Sequence, residues 1–94
     1  MQFITWTPTI IMYFVYILKS QKDESLYIGY SVNLKQRFKE HNRGKSTYTK
    51  NKTPFELIYY EVYKNKKDAK NREKYLKSGW GWRSIKKMLK NTLE

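Results

Sequence analysis

The feature that most constrains this chain is a pair of short strand-forming runs near its start. Tyr13-Phe14-Val15-Tyr16-Ile17-Leu18 is β-branched and aromatic, and Leu26-Tyr27-Ile28-Gly29-Tyr30 follows after the polar stretch Ser20 to Ser25. Such side chains suit a packed, pleated surface, and two such runs joined by a short polar loop predict a β-hairpin. Phe55-Glu56-Leu57-Ile58-Tyr59-Tyr60-Glu61-Val62 predicts a third strand, entered through Thr53-Pro54, where proline disfavours helix for the residue before it. Between strands two and three a helix is expected, with Asn33 as N-cap, Gln36 three residues on and Gly44 as the C′ residue. A second helix is expected from near Asn65 to about Ser78, and a third from about Trp82 to Asn91. No internal repeat is visible. The order is β-β-α-β-α-α, an α+β class.

With 94 residues the chain has length for one domain and one modest core. Residues 12–91 are expected to form that domain, with 1–11 an N-terminal extension. The segment 45–54 is polar and basic and is expected to be a mobile surface loop. Trp82, Ile85, Met88 and Leu89 share one helical face and predict core. For the stretch Trp80-Gly81-Trp82 core is the expectation, with a base-stacking platform or an interface as the alternatives.

Charge speaks about partners rather than fold. The formal net charge is +12, from 20 Lys and Arg against 8 Asp and Glu. The excess runs along the whole chain, so the domain itself is basic and has no neutral body with a basic tail. Nucleic acid, DNA or RNA, is the expected partner. Candidate contacts to it are Lys35, Arg43, Lys45, Lys50, Lys52 and Arg83. A membrane-surface role is disfavoured because no helix pairs a broad apolar face with a solid basic one. No apolar stretch approaches the ~20 residues of a membrane span. Absent cysteines exclude a disulfide scaffold and a thiolate metal site. The N-terminus lacks the basic flank of a signal peptide, which makes the cytoplasm the expected location.

Several polar residues fall on faces that should be apolar. On the first helix, Arg37 and His41 lie on the same side as Leu34 and Phe38, His41 close to its centre. On the second, Glu73 lies between Ala69 and Leu76. A carboxylate in that position needs a partner, either a neighbouring Lys or Arg or a metal ion. Arg37 has the alternative of running its stem along Phe38 with its head in water. His41 alone could be a satisfied half-buried histidine, and Tyr16 and Tyr27 ordinary strand aromatics.

Jointly, these residues resemble a known family. Phe14-Val15-Tyr16 followed after ten residues by Tyr27-Ile28-Gly29 resembles the paired signature of the GIY-YIG nucleases. Arg37 comes eight residues after Gly29, His41 one turn later, and Glu73 sits on the helix after the third strand. Glu40-His41-Asn42, Pro54 through Tyr60, and Arg72 through Lys77 are similar to the small stand-alone bacterial members. The resemblance runs from about Met12 to Leu89. It implies a three-stranded antiparallel sheet flanked by helices, and metal-dependent cleavage of phosphodiester bonds with low sequence specificity. It further implies Glu73 as ligand of one Mg²⁺ (or Mn²⁺), Arg37 as phosphate contact, and Tyr16, Tyr27 and His41 as catalytic residues. Phe14 replaces the glycine of the first triplet. The asparagine that larger members carry about a dozen residues after the glutamate has no counterpart near Arg83-Ser84-Ile85.

The chemistry is coherent on its own terms. Phosphodiester hydrolysis needs an activated water and stabilised charge on the phosphoryl and leaving oxygens. Magnesium tolerates one protein carboxylate when waters and substrate oxygens complete its octahedron. A two-metal arrangement would want several convergent carboxylates, and only Glu73 is on an inward face. The alternatives are a non-catalytic basic nucleic-acid-binding module on the same fold, and a partner-binding domain whose basicity is incidental.

Overall fold

The computed structural model describes residues 11–47 and 49–94. The expected extension, residues 1–11, thus lies outside the described residues apart from Ile11, as does Tyr48 of the 45–54 segment. The elements are β1 (Tyr13–Ser20), β2 (Leu26–Ser31), α1 (Leu34–Asn42), β3 (Phe55–Tyr63), α2 (Lys66–Leu76) and α3 (Gly79–Met88). They form one antiparallel sheet in the order β2-β1-β3. The α+β class and the β-β-α-β-α-α order are those the sequence predicts.

β1 is the central strand and is covered on both faces, so it reads as an unbroken apolar run rather than an alternating one. Its side chains nevertheless alternate between two cores. Val15 and Ile17 pack with Ile28 and with Ala69, Leu76, Ile85 and Leu89 of the α2–α3 layer. Tyr16 and Leu18 point the other way, among Phe55, Tyr27 and the α1 residues Leu34 and Phe38. Residues adjacent in sequence are thereby separated into an apolar core and the layer that carries the candidate site.

The helix ends follow from their caps. Asn33 accepts the Gln36 N–H at 3.1 Å, and Gly44 closes α1 at φ +73, a left-handed conformation that favours glycine. Asn65 caps α2 through the N–H groups of Lys67 and Asp68. Helix α3 departs from expectation. It begins three residues earlier than Trp82, because Ser78 accepts the Gly81 N–H at 3.2 Å and caps it. Its buried line is then Gly81, Ile85 and Leu89, while Trp82 and Met88 are 39% and 42% exposed. Gly81 lies so close to the end of α2 that a Cβ would overlap the backbone of Tyr75 and Leu76. The two flanking tryptophans are therefore turned to either side of the contact, outside the core.

The expectation of a mobile loop over 45–54 is also corrected. Ser46 and Thr49 are buried. Ser20 Oγ donates to the Lys52 carbonyl at 2.6 Å, Gln21 N–H donates to the Pro54 carbonyl at 2.8 Å, and Asn42 Oδ1 accepts from Phe55 N–H at 2.6 Å. Small polar side chains made the segment look solvated, yet Thr49 bonds inward to the site and groups of the hairpin loop bond to the segment's carbonyls.

Candidate active site

Tyr16 pairs across the hairpin with Gly29, and its ring lies over that glycine. A Cβ at position 29 would overlap the Tyr16 hydroxyl, so only glycine leaves room for the phenol there. The hydroxyl lies 3.0 Å from His41 Nε2, and His41 Nδ1 lies 2.7 Å from Thr49 Oγ1. All three side chains are buried, with Tyr16 only 1% exposed. The Tyr27 ring completes the pocket, its centroid 4.8 Å from that of His41. Thus α1 delivers His41 to the sheet, and the 45–54 segment delivers the residue that holds the imidazole's other nitrogen.

One turn before His41, Arg37 is anchored to Glu40 of its own helix at 3.1 Å, both side chains about one-third exposed. Its charge reaches Tyr16. Glu73 comes from α2, on the other face of the sheet. One turn before it, the Lys70 ammonium lies 4.2 Å over the Tyr30 ring of the edge strand β2. Glu73 is near enough that its charge raises the Tyr16 pKa. Its partner among the described residues is Lys77, one turn further along α2, at 3.0 Å.

These surroundings set the protonation states. Burial pushes the Tyr16 phenol up to about 12, with Tyr27 and Glu73 adding to the rise and Arg37 opposing it. Burial, and then the nearby Arg37 cation, push His41 down to about 4, against the opposing charge of Glu40. At neutral pH the cluster therefore holds a neutral phenol against a neutral imidazole, which carries one donor and one acceptor nitrogen. Burial alone would lower Arg37, but its bond to Glu40 and the nearby Tyr16 phenol raise it, so it stays charged.

Tyr16, Tyr27, Arg37 and His41 are thus brought together on the α1 face, while Glu73, on α2, is linked to them through the effect of its charge on the Tyr16 phenol. Of the candidate phosphate contacts, Lys35 and Arg43 line an open hollow on α1 together with Lys39, which sequence reasoning did not single out. Lys45 and Lys50 are exposed on the following segment. Lys52 is turned to Asp23 at 3.3 Å, tying the segment to the hairpin loop. Arg83 is on α3, stacked over Trp80. Thr49 is the one site residue the sequence did not mark. A threonine in a polar loop carries no pattern, and its role arises from a contact eight residues away.

Among the described residues no helix is long and apolar enough to cross a membrane. The GIY-YIG catalytic-domain model matches residues 12–80. A UPF0213 protein of Clostridium perfringens is 49% identical over 67 residues, covering 70% of this chain and 71% of that protein. One from Haloquadratum walsbyi is 39% identical over 67 residues, 70% of this chain and 74% of its own. The solution NMR structure of a UPF0213 protein from Bacillus halodurans superposes with a TM-score of 0.53 at 30% identity, covering 83% of this chain and 85% of that one. The paired triplets, the sheet order and the arginine and glutamate helices agree with these matches, and the chain belongs to the GIY-YIG family.

Proposed function

We propose that the chain is a metal-dependent endonuclease that hydrolyses phosphodiester bonds of DNA or RNA with low sequence specificity. The observation that carries this reading is the buried Tyr16–His41 hydrogen bond, set over Gly29 and subject to the charges of both Arg37 and Glu73.

Glu73 is the candidate metal ligand. Among the described residues no three His, Cys, Asp or Glu side chains gather. One accessible carboxylate suits Mg²⁺, which keeps most of its waters and takes phosphate oxygens as ligands. Bound there, Mg²⁺ or Mn²⁺ supplies positive charge at the scissile phosphate and the leaving oxygen. Arg37 presents a planar fork of donors to a phosphoryl oxygen.

Proton handling falls to the dyad. With Nδ1–H donating to Thr49, His41 Nε2 accepts the hydrogen bond of the neutral Tyr16 phenol, and would take its proton only in concert with the phenol oxygen taking one from the attacking water. The low affinity of His41 for a proton is due partly to Arg37. A phosphate paired with Arg37 offsets that cation and favours protonation of the imidazole when substrate is bound.

The test is nicking of supercoiled, single-stranded and branched DNA, and of RNA, with Mg²⁺ or Mn²⁺. Cleavage that disappears in EDTA and in Glu73→Ala supports the reading, and equal activity of wild type and Glu73→Ala overturns it. One pair of observations favours the non-catalytic module instead: Glu73 has a lysine partner and Tyr16 is almost wholly buried. That reading predicts salt-sensitive binding, with a slope of about −0.9 per phosphate on duplex DNA, and no cleavage with any metal. The Glu73–Lys77 pair is a weak obstacle, because i,i+4 pairs with an exposed partner contribute only ~0.3–0.5 kcal/mol.

A further inference from the structure

Trp80 is 69% exposed, although an indole is among the most favourable side chains to bury. Its position is forced. Gly81 occupies the contact with the end of α2, and residues one step away on a helix point about 100° to the side. Position alone does not explain why the side chain is tryptophan, since any polar residue could stand there. Arg83 lies over the Trp80 ring, its guanidinium carbon 4.9 Å from the ring centroid, and makes no ion pair among the described residues. The two side chains border an open hollow of about 400 Å³ with Gly79. The stretch of sequence that carries them is basic: between Glu73 and Glu94, residues 74–93 contain six Lys and Arg and no Asp or Glu.

We propose that Trp80 and Arg83 form a stacking platform for an unpaired base of a single-stranded nucleic acid. The chemistry requires a ligand with both a flat π-face and closely spaced negative charge. Exposed bases stack on indole and guanidinium planes, while the flanking phosphates meet the surrounding cations. A base pair inside an intact duplex offers no free face, so the platform discriminates for single-stranded segments and flaps. The proposal rests on the nucleic-acid reading above but not on catalysis, and it gives that reading a substrate class.

The test is binding in EDTA, followed by fluorescence anisotropy of a labelled oligothymidylate and of an abasic strand with the same number of phosphates. For Trp80→Ala the affinity for the base-bearing strand should fall about 10-fold, while the abasic strand binds as it does to wild type. Trp80→Phe should retain most of the wild-type affinity, and the salt slope should not change, because no phosphate contact is lost. Equal loss on both strands, no loss on either, or an equal loss on blunt duplex would overturn the platform. So would loss of binding to anionic phosphatidylserine vesicles with oligonucleotide affinity intact, which would assign the patch to a lipid surface. If wild type shows no salt-dependent affinity for any strand, the nucleic-acid reading itself fails, an outcome distinct from failure of the platform.

Discussion

Two clusters in this molecule combine tyrosine, arginine and glutamate, and they are built to opposite ends. On the α2 face, Glu61 accepts from Arg72 Nε and Nη2, both at 2.9 Å, from Tyr59 at 2.5 Å and from Tyr63 at 2.7 Å. Burial alone would raise the Glu61 pKa, but these four donors hold it below the usual carboxylate range. Glu73 has a nearly identical side-chain exposure, 17% against 15%, and a single exposed lysine as ion partner. Exposure therefore does not distinguish the two carboxylates. Coordination does: Glu61 accepts from four donors, whereas among the described residues the ion partner of Glu73 is the half-exposed Lys77 ammonium alone. The same contrast holds for the phenols. Tyr59 and Tyr63 donate hydrogen bonds to a carboxylate that holds them in place, and Tyr16 faces a neutral imidazole.

Substitutions at the two glutamates should separate most sharply. Glu73→Gln should lower metal-dependent nicking by about 10²–10³-fold, comparable to loss of one preorganised charge-stabilising group, with little change in melting temperature. Glu61→Gln should do the reverse, destabilising the fold by about 2–4 kcal/mol because Arg72 loses its bidentate carboxylate. For a domain of this size that corresponds to a drop in melting temperature on the order of 10 °C, read by circular dichroism, with activity per folded molecule preserved. Loss of activity without unfolding in Glu61→Gln would break the comparison.

Tyr16→Phe keeps the ring over Gly29 and removes the proton donor, and should lower the nicking rate by about 10²-fold. Thr49→Val should have a smaller effect, about 10-fold, by releasing the His41 tautomer, and Thr49→Ser should restore activity. A Thr49→Ser variant as impaired as Thr49→Val would reduce Thr49 to a packing residue. Nitrogen-15 NMR of the imidazole should show the tautomer held in wild type and released in Thr49→Val.

The remaining expected effect is on stability against pH rather than on activity. His41 binds its proton more weakly folded, near pH 4, than unfolded, near the ordinary imidazole value of 6.5. Between those values the unfolded chain carries the extra proton, so stability falls with decreasing pH across that window and is flat in this term above it. From pH 7 to pH 5 the loss is about 2 kcal/mol, measurable as a shift in urea midpoint. His41→Phe should abolish that slope, whereas Glu61→Gln should leave it in place.

The element order was legible because each element carried a local signal. β1 and β2 were marked by β-branched and aromatic runs, α1 by the Asn33 cap and Gly44, and α2 by Asn65. His41 and Glu73 stood out as polar residues on apolar faces, and the paired triplets marked Tyr16 and Tyr27. The errors share one cause, which is that contacts between distant residues override local pattern. Trp82 and Met88 carry the right period for a core helix, but the close approach of Gly81 to the end of α2 rotates that face away. The 45–54 segment has a solvated composition, but Thr49 is pinned by His41 and Lys52 by Ser20 and Asp23.

By itself, the sequence determined the strands, the starts of α1 and α2, the surplus of positive charge and the identities of the chemically capable residues, because propensity, capping and charge act over a few residues. Only the tertiary structure decided which of two equally shielded glutamates remains open to a ligand, which nitrogen of His41 faces the phenol, and which tryptophan stands in solvent. Those outcomes depend on how many donors reach one atom from separate elements, and such convergence is set by packing, which no local stretch of sequence encodes.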